Sequence, residues 1–296
     1  MTHGVLEELW RGLLPFFGSG WPLIAAAAAA LGLALFLASR RARGKKPRRS
    51  GRRRAPRYPV VLAHGLLGFD ELRMGRMRTE YFRGVAERLE REGYLVHRSR
   101  VSKTASIADR ARELAAFVQE LPGRRVNVVA HSMGGLDARF ALTHLGMSRK
   151  VASVTTVGTP HLGTPLADLG ARPGAKTLWA ALRGLGMNVD AFHDLTTERM
   201  AEFNESTPDA RGVLYASVVG APGGRREVMP ILVPTYLWLG EWAGGNDGLV
   251  PAASQRWGEV VREVGADHFA QIGWSRRFAA GEFYLELLHE LRAFGL

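Results

Sequence analysis

The feature that most constrains the fold is a short apolar run followed at once by small residues. Val126–Ala130 is nearly all apolar, and residues 131–135 read His-Ser-Met-Gly-Gly before a helical pattern begins. A strand this apolar is buried on both faces, which is typical of the centre of a parallel sheet. Small residues such as Gly134 let the backbones of strand and helix approach closely at a sharp turn. The pattern therefore predicts a strand–turn–helix unit with Ser132 at the turn.

Strand and helix patterns alternate along the chain from Tyr58 onward. Short β-rich runs predict strands at Tyr58–Ala63, Tyr94–His97, Val126–Ala130, Val151–Val157, Val213–Val219 and Glu259–Val264. Longer patterns predict helices at Glu80–Glu92, Ile107–Leu121, Met133–Leu145 and Gly281–Phe294. Such alternation indicates βαβ units and a mostly parallel sheet with helices on both faces. Residues 58–296 are therefore expected to form one α/β domain.

An uncharged segment precedes this domain. Gly12–Ser39 holds no charged residue, and its most continuous apolar part is Trp21–Ser39. A helix needs about 20 apolar residues to cross the hydrocarbon core of a bilayer, so residues 1–39 are predicted to contain one transmembrane helix at about 21–39. A cleaved signal peptide would place positive charge before the apolar run, whereas Glu7 and Glu8 precede it here. A helix that lies along the membrane surface is a third interpretation.

Positive charge is concentrated in residues 40–57. This stretch holds 11 Lys and Arg and no acid, and the rest of the chain is nearly neutral although the net charge is +12. The positive-inside rule then predicts a single-pass membrane protein whose folded domain is cytoplasmic. The basic linker is expected to flank the membrane helix and to attract anionic headgroups. A nucleic-acid-binding domain would usually spread basic side chains over a folded face, so no nucleic-acid partner is expected.

Two motifs carry chemistry. Ser132 has the context of a nucleophile elbow, in which a sharp strand-to-helix turn projects Oγ outward; an ordinary serine N-cap is the alternative. His64-Gly65-Leu66 follows the first predicted strand. A backbone N–H at this place can complete an oxyanion hole together with the N–H after the nucleophile. Leu66 and Met133 are therefore predicted as backbone donors, and His64 is interpreted as structural.

Several ordered segments resemble one family. Residues 58–70 (YPVVLAHGLLGFD), 153–163 (SVTTVGTPHLG) and 246–251 (NDGLVP) resemble the bacterial true lipases of the Pseudomonas and Burkholderia type. Residues 130–135 (AHSMGG) are similar to the elbow of the small Bacillus lipases. The resemblance implies the α/β-hydrolase fold.

The resemblance also implies a catalytic triad. Ser132 would be the nucleophile, Asp247 the acid and His268 the base, and the chain order Ser, Asp, His is that of the α/β-hydrolases. Asp267 is a second candidate acid. It adjoins His268, however, and a side chain rarely orients the ring of its own neighbour, so Asp247 is preferred.

The resemblance has a gap at a metal site. Lipases of that type bind a structural calcium through a carboxylate two residues after the catalytic His, and that position is Ala270 here, followed by Gln271. A calcium site needs several oxygen ligands, most of them charged. No calcium and no other metal or cofactor is therefore expected. The chain has no cysteine, which excludes a thiolate nucleophile.

The resemblance implies a serine hydrolase that cleaves lipid esters through an acyl-enzyme, as a triacylglycerol lipase does. The apolar segment before the domain predicts that this hydrolase is anchored in a membrane. An esterase or thioesterase for soluble acyl compounds would use the same triad, and a catalytically silent membrane scaffold is a third possibility. Two apolar stretches, Ala171–Asn204 and Met229–Trp242, are candidates for a lid or an acyl-binding wall. Core packing is the other interpretation of both. The sequence does not fix the oligomeric state.

Overall fold

The computed structural model describes residues 58–66, 71–74, 77–102, 105–171 and 192–293. The predicted transmembrane helix at 21–39 and the basic linker at 40–57 lie outside these residues, as do residues 172–191 of the apolar stretch Ala171–Asn204. Among the helices formed by the described residues, none combines the length and the apolar character needed to cross a bilayer.

A parallel sheet forms the centre of the described structure. The strands are β1 (Val60–Ala63), β2 (Glu71–Met74), β3 (Met77–Glu80), β4 (Val96–Arg98), β5 (Val126–His131), β6 (Val151–Val157), β7 (Leu214–Gly220) and β8 (Glu259–Val264). Except for β2 and β3, which form a separate antiparallel pair, they build one sheet in the order β4-β1-β5-β6-β7-β8. All neighbours in this sheet are parallel, which confirms the predicted sheet.

Helices cover both faces of the sheet. They are α1 (Val85–Arg91), α2 (Ile107–Glu120), α3 (Gly134–His144), α4 (Pro165–Ala171), α5 (Thr197–Ser206), α6 (Val233–Ala243) and α7 (Ala280–Ala293). Successive side chains of a strand point to opposite faces. Val60 and Leu62 accordingly pack in the cluster of α1 and α7, whereas Val61 and Ala63 pack in that of α2 and α3. Both faces of β1 are apolar for this reason.

The predicted helix Glu80–Glu92 is wrong at its beginning. Glu80 is the last residue of β3, and helix α1 begins only at Val85. Gly84, just before α1, has a φ of 69°. This left-handed conformation, which glycine adopts without steric cost, interrupts the helical pattern. The β2–β3 hairpin was not predicted from the sequence.

The apolar stretch Met229–Trp242 forms a short 3₁₀ turn at Pro230–Leu232 and most of helix α6. Leu232 and Leu239 are buried, which fits core packing. Leu237 is 46% exposed and Trp242 is 37% exposed, which core packing does not explain. Helix α6 therefore presents at least these two apolar side chains to solvent.

Candidate active site

Ser132 occupies a sharp turn between β5 and α3. Its φ is 56°, and it is the only residue other than glycine with a positive φ in the described part of the chain. Its own N–H donates to the carbonyl oxygen of Val157 at 2.9 Å. A left-handed serine at this point is backbone strain, since only glycine visits this region routinely. This left-handed conformation turns the chain from strand β5 to helix α3 within two residues.

Close packing of the turn depends on Gly134. A Cβ at this position would lie 2.7 Å from the carbonyl oxygen of His64 and 2.8 Å from that of Ala63. The first residue of α3 therefore abuts the backbone that follows β1. This confirms the steric reason for predicting a small residue at this turn.

The structure brings Ser132, Asp247 and His268 together. His268 Nε2 lies 3.0 Å from Ser132 Oγ, and His268 Nδ1 lies 2.7 Å from Asp247 Oδ2. Ser132 follows β5, Asp247 lies after β7 and His268 lies after β8. The carboxyl ends of parallel strands meet at one edge of the sheet, and clefts of such sheets lie there. The arrangement can abstract a proton from a serine hydroxyl.

The Asp247 carboxylate is completely buried and held on both oxygens. Oδ1 accepts hydrogen bonds from the backbone N–H groups of Leu249 at 3.0 Å and Val250 at 2.8 Å. Oδ2 accepts from His268. The backbone N–H of His268 also donates to the carbonyl oxygen of Asp247 at 2.9 Å, which joins the two loops directly.

Asp267, the second candidate acid, has a different set of partners. Its carboxylate accepts from the backbone N–H groups of Met229, Phe269 and Ala270. Burial raises the pKa of Asp267, and these three hydrogen bonds oppose the rise. Asp267 thus fastens the loop that carries His268 to the segment that leads into α6. The ring of His268 pairs with Asp247 and not with Asp267.

The predicted backbone donors flank Ser132. Met133 directly precedes α3, so its N–H is one of those at a helix N-terminus that lack an intrahelical acceptor. Leu66 follows Gly65, and a Cβ on Gly65 would lie 2.6 Å from Ser132 Cβ. The two segments that carry the predicted donors are therefore both adjacent to Ser132.

A buried ion pair that the sequence reasoning missed supports this loop. Arg110 on α2 donates from Nε to Asp137 Oδ2 on α3 at 2.9 Å. Its Nη2 donates to the carbonyl oxygen of His64 at 2.8 Å. Burial raises the pKa of Asp137 to about 6, and Arg110 opposes that rise. An arginine and an aspartate 27 residues apart give no local pattern in a sequence.

Other histidines have structural surroundings. His131 is completely buried, and its Nδ1 lies within hydrogen-bond distance, 2.7 Å, of the hydroxyl oxygen of Tyr81. Its ring centroid lies 4.5 Å from that of His268. His161 is stacked on Trp257. Burial lowers the pKa values of His131 and His161 well below the ordinary range, so both rings are neutral at pH 7.

No group of three or more His, Asp and Glu side chains suited to a metal ion occurs in the part of the chain that the structure describes. Ala270 begins a 3₁₀ turn, and its N–H donates to Asp267. The expectation that the chain binds no calcium stays a prediction from the sequence.

Comparisons with known proteins agree with this fold. The α/β-hydrolase fold family matches residues 58–209. A triacylglycerol lipase from Vibrio cholerae is 32% identical over 248 residues, which cover 70% of this chain and 76% of the relative. A triacylglycerol lipase from Pseudomonas fragi is 31% identical over 292 residues, which cover 81% of this chain and 98% of the relative. The crystal structure of the mature Bacillus licheniformis lipase BlEst2 superposes with a TM-score of 0.64 and 27% identity, over 79% of this chain and 91% of that one.

The chain therefore belongs to the α/β-hydrolase fold family. Within that family it is a carboxylic ester hydrolase of the lipase–esterase type, as its lipase relatives indicate.

Proposed function

We propose that this chain is a lipase that cleaves carboxylic esters of lipids, with Ser132 as nucleophile, His268 as base and Asp247 as acid. The observation that supports this most directly is the continuous contact from Ser132 Oγ through the His268 ring to the buried Asp247 carboxylate. Hydrogen bonds of 3.0 and 2.7 Å are within the reach that proton transfer requires.

The proposed reaction begins when Asp247 holds the proton of His268 on Nδ1. Nε2 is then free to accept the proton of Ser132 as Oγ attacks the ester carbonyl. The N–H groups of Leu66 and Met133 bind the developing oxyanion. His268 returns the proton to the leaving alcohol, and an acyl-enzyme forms on Ser132. Water then attacks the acyl carbon by the same route and releases the fatty acid.

Two observations support a lipid substrate. The relatives from Vibrio cholerae and Pseudomonas fragi are both triacylglycerol lipases. In addition, the segment leading into α6 is fastened to the site, since Met229 donates to Asp267 and Leu232 packs against Gly248. Helix α6, which follows this attachment in the chain, presents Leu237 and Trp242 to solvent. We propose that it forms an apolar wall for the acyl chain.

We further propose that residues 21–39 anchor the enzyme in a membrane, with the basic linker 40–57 and the catalytic domain on the cytoplasmic side. The support is the uncharged run Gly12–Ser39 and the basic residues that follow it. Such a tether would hold the active site close to its lipid substrate.

Hydrolysis of p-nitrophenyl esters from C2 to C16 by the full chain in detergent tests the reaction. We expect activity that rises toward long acyl chains and disappears in Ser132→Ala. A short-chain optimum would indicate an esterase for soluble acyl compounds. A folded wild-type protein that hydrolyses no ester and is not labelled at Ser132 by a fluorophosphonate probe would contradict the enzyme proposal and leave the scaffold.

Cysteine labelling tests the anchor, because the chain has no cysteine of its own. Thr2→Cys and Glu202→Cys each supply one thiol, and Glu202 is exposed on the folded domain. In intact spheroplasts we expect a membrane-impermeant maleimide to label the Thr2→Cys variant, and the Glu202→Cys variant only after lysis. Labelling of Glu202→Cys before lysis would place the domain outside. Release of the wild-type chain by alkaline carbonate would contradict the anchor itself.

A further inference from the structure

Gln271 is a buried polar residue that the proposed reaction does not use. It lies three residues after His268, in the 3₁₀ turn Ala270–Ile272, and its side chain is completely buried. Its Nε2 donates to Asp247 Oδ2 at 3.1 Å, the same oxygen that accepts from His268. The second N–H points to the carbonyl oxygen of Ala266 at 3.3 Å.

The amide of Gln271 lies in a slot formed by two glycines. Gly158 directly follows β6, and Gly220 ends β7. A Cβ on Gly158 would lie 2.3 Å from Gln271 Oε1, and a Cβ on Gly220 would lie 2.0 Å from Gln271 Nε2. No larger residue fits at either place while the amide stays where it is. The carboxyl ends of the two strands therefore fix the position of the amide.

The far end of the amide lies near His131. Gln271 acts on the pKa of His131 in the direction that raises it, against the larger effect of burial, so the two side chains are neighbours. Gln271 Oε1 and His131 Nε2 are both buried and have no hydrogen-bond partner among the described residues.

We propose that Gln271 is a positioning residue of the triad, which orients the Asp247 carboxylate and withdraws part of its charge from His268. This inference rests on the proposed function. A carboxylate has about four acceptor sites, and those of Asp247 are filled by two backbone N–H groups, His268 and Gln271. An N–H donated to Oδ2 stabilises the negative charge there. The hydrogen bond from Gln271 therefore takes up part of the charge that Oδ2 presents to the His268 ring.

Few other ionisable groups bear on His268 among the described residues. Asp247 and Ser132 contact its ring, and His131 lies behind it, neutral and bonded to Tyr81. Asp267 adjoins it in the chain but directs its carboxylate to backbone N–H groups. A change at Gln271 thus reaches His268 through Asp247.

The pH profile of kcat/KM tests this with the full chain and one soluble p-nitrophenyl ester. In Gln271→Met, which has a similar volume and no N–H, we expect the acid limb to move upward by about half a pH unit, because Asp247 keeps more of its charge for His268. We also expect the plateau to fall by about 3- to 10-fold, because the carboxylate loses one of its hydrogen bonds.

Gln255→Met is the matched control. Gln255 is equally buried and binds the backbone of Gly220 and Val250, but it does not touch the Asp247 carboxylate. We expect a lower melting temperature and an acid limb at the wild-type pH. An equal shift in both variants would mean general loosening and would overturn the proposal, as would an unmoved limb in folded Gln271→Met.

If Gln271→Met does not fold, Gln271→Asn carries the same expectation, since its amide is one methylene too short to reach Asp247. Fluorophosphonate labelling distinguishes a failure of the proposed function from a failure of the role proposed for Gln271. An unlabelled Ser132 in the wild type would contradict the proposed function. A labelled Ser132 with an unmoved acid limb would contradict the role of Gln271 alone.

Discussion

The guanidinium group of Arg110 lies 2.8 Å from the carboxylate of Asp137, and neither side chain is more than 1% exposed. The pair joins α2 to α3, the helix that follows Ser132. Because the same guanidinium group donates to His64, the pair also holds the backbone that leads to Leu66. A buried pair gives little net stability compared with apolar residues, but removing one partner is costly. Replacing one partner of the pair therefore tests how much these contacts stabilise the backbone around Ser132 and Leu66.

We expect Arg110→Met to destabilise the protein by about 3–5 kcal/mol, because Asp137 is left buried without its cation. The loss in the free energy of unfolding, relative to the wild type, should grow with pH. In the wild type burial raises the pKa of Asp137 to about 6, and Arg110 opposes that rise. The variant must keep it protonated or bury an unpaired charge, so the two proteins diverge above that pH. Urea unfolding at pH 5 and pH 8 measures this.

The control for Arg110 is Arg112→Met. Arg112 also pairs with an aspartate, Asp109, but both side chains are more than half exposed. Exposed pairs contribute little, so its unfolding curve should match that of the wild type. A loss in Arg110→Met that is the same at both pH values would contradict the assigned cause.

A methyl group at Gly134 should damage the turn. The new Cβ would meet the carbonyl oxygens of His64 and Ala63, which cannot move without shifting β1. We expect Gly134→Ala to lose about 1–3 kcal/mol and most of its esterase activity, since overpacking displaces the backbone next to Ser132. Thermal unfolding and ester hydrolysis measure the two effects. Gly224→Ala, where nothing lies within 4 Å of the new Cβ, should behave as the wild type.

Asp247 and Asp267, the two candidate acids, should differ in how much their replacement lowers kcat. Asp247→Asn removes the acceptor of the His268 Nδ1 proton, and we expect kcat to fall by about 10³- to 10⁴-fold with the fold retained. Asp267→Asn should instead lower the melting temperature, because it weakens the three backbone hydrogen bonds that Asp267 accepts. Its kcat should fall far less. A larger kinetic loss in Asp267→Asn would reverse the assignment of the acid.

Arg139 should resist replacement by lysine. Its guanidinium group lies 3.5 Å above the ring of Trp257 and donates to Asn204 and to the carbonyl oxygen of Thr207. Burial lowers its pKa to about 10, so it stays charged at pH 7. Lysine has no planar guanidinium group that could stack on Trp257 and donate in two directions. We expect Arg139→Lys to lower the free energy of unfolding by about 2 kcal/mol, as measured by chemical denaturation. Arg199→Lys, at an exposed pair with Glu202, should leave the unfolding curve unchanged.

Local patterns were sufficient to predict the sheet and its main helices. Val151–Val157 and Glu259–Val264 have the predicted bounds, because β-branched runs flanked by turn residues define a strand locally. Helix α2 begins at the predicted Ile107, where Ser106 caps it by accepting from the N–H of Asp109. The β2–β3 hairpin escaped prediction because each of its strands has only four residues and is rich in helix formers such as Glu, Leu, Arg and Met.

The contacts around the triad could be predicted only in part. Ser132, Asp247 and His268 stand in recognisable motifs, and the structure brings their side chains together. Their supports depend on pairs that are distant in sequence, such as Arg110 with His64, and carry no local pattern. Gln271 likewise gave no local signal, because its contact with Asp247 joins residues 24 positions apart.

The left-handed backbone of Ser132 has a consequence for how activity can be lost. Holding a serine there costs about 1–2 kcal/mol, whereas glycine takes the same φ freely. Replacement of Ser132 by glycine would therefore give a protein that is inactive and yet folds better. Selection for folding alone would replace the serine, so that its presence here reflects selection for turnover.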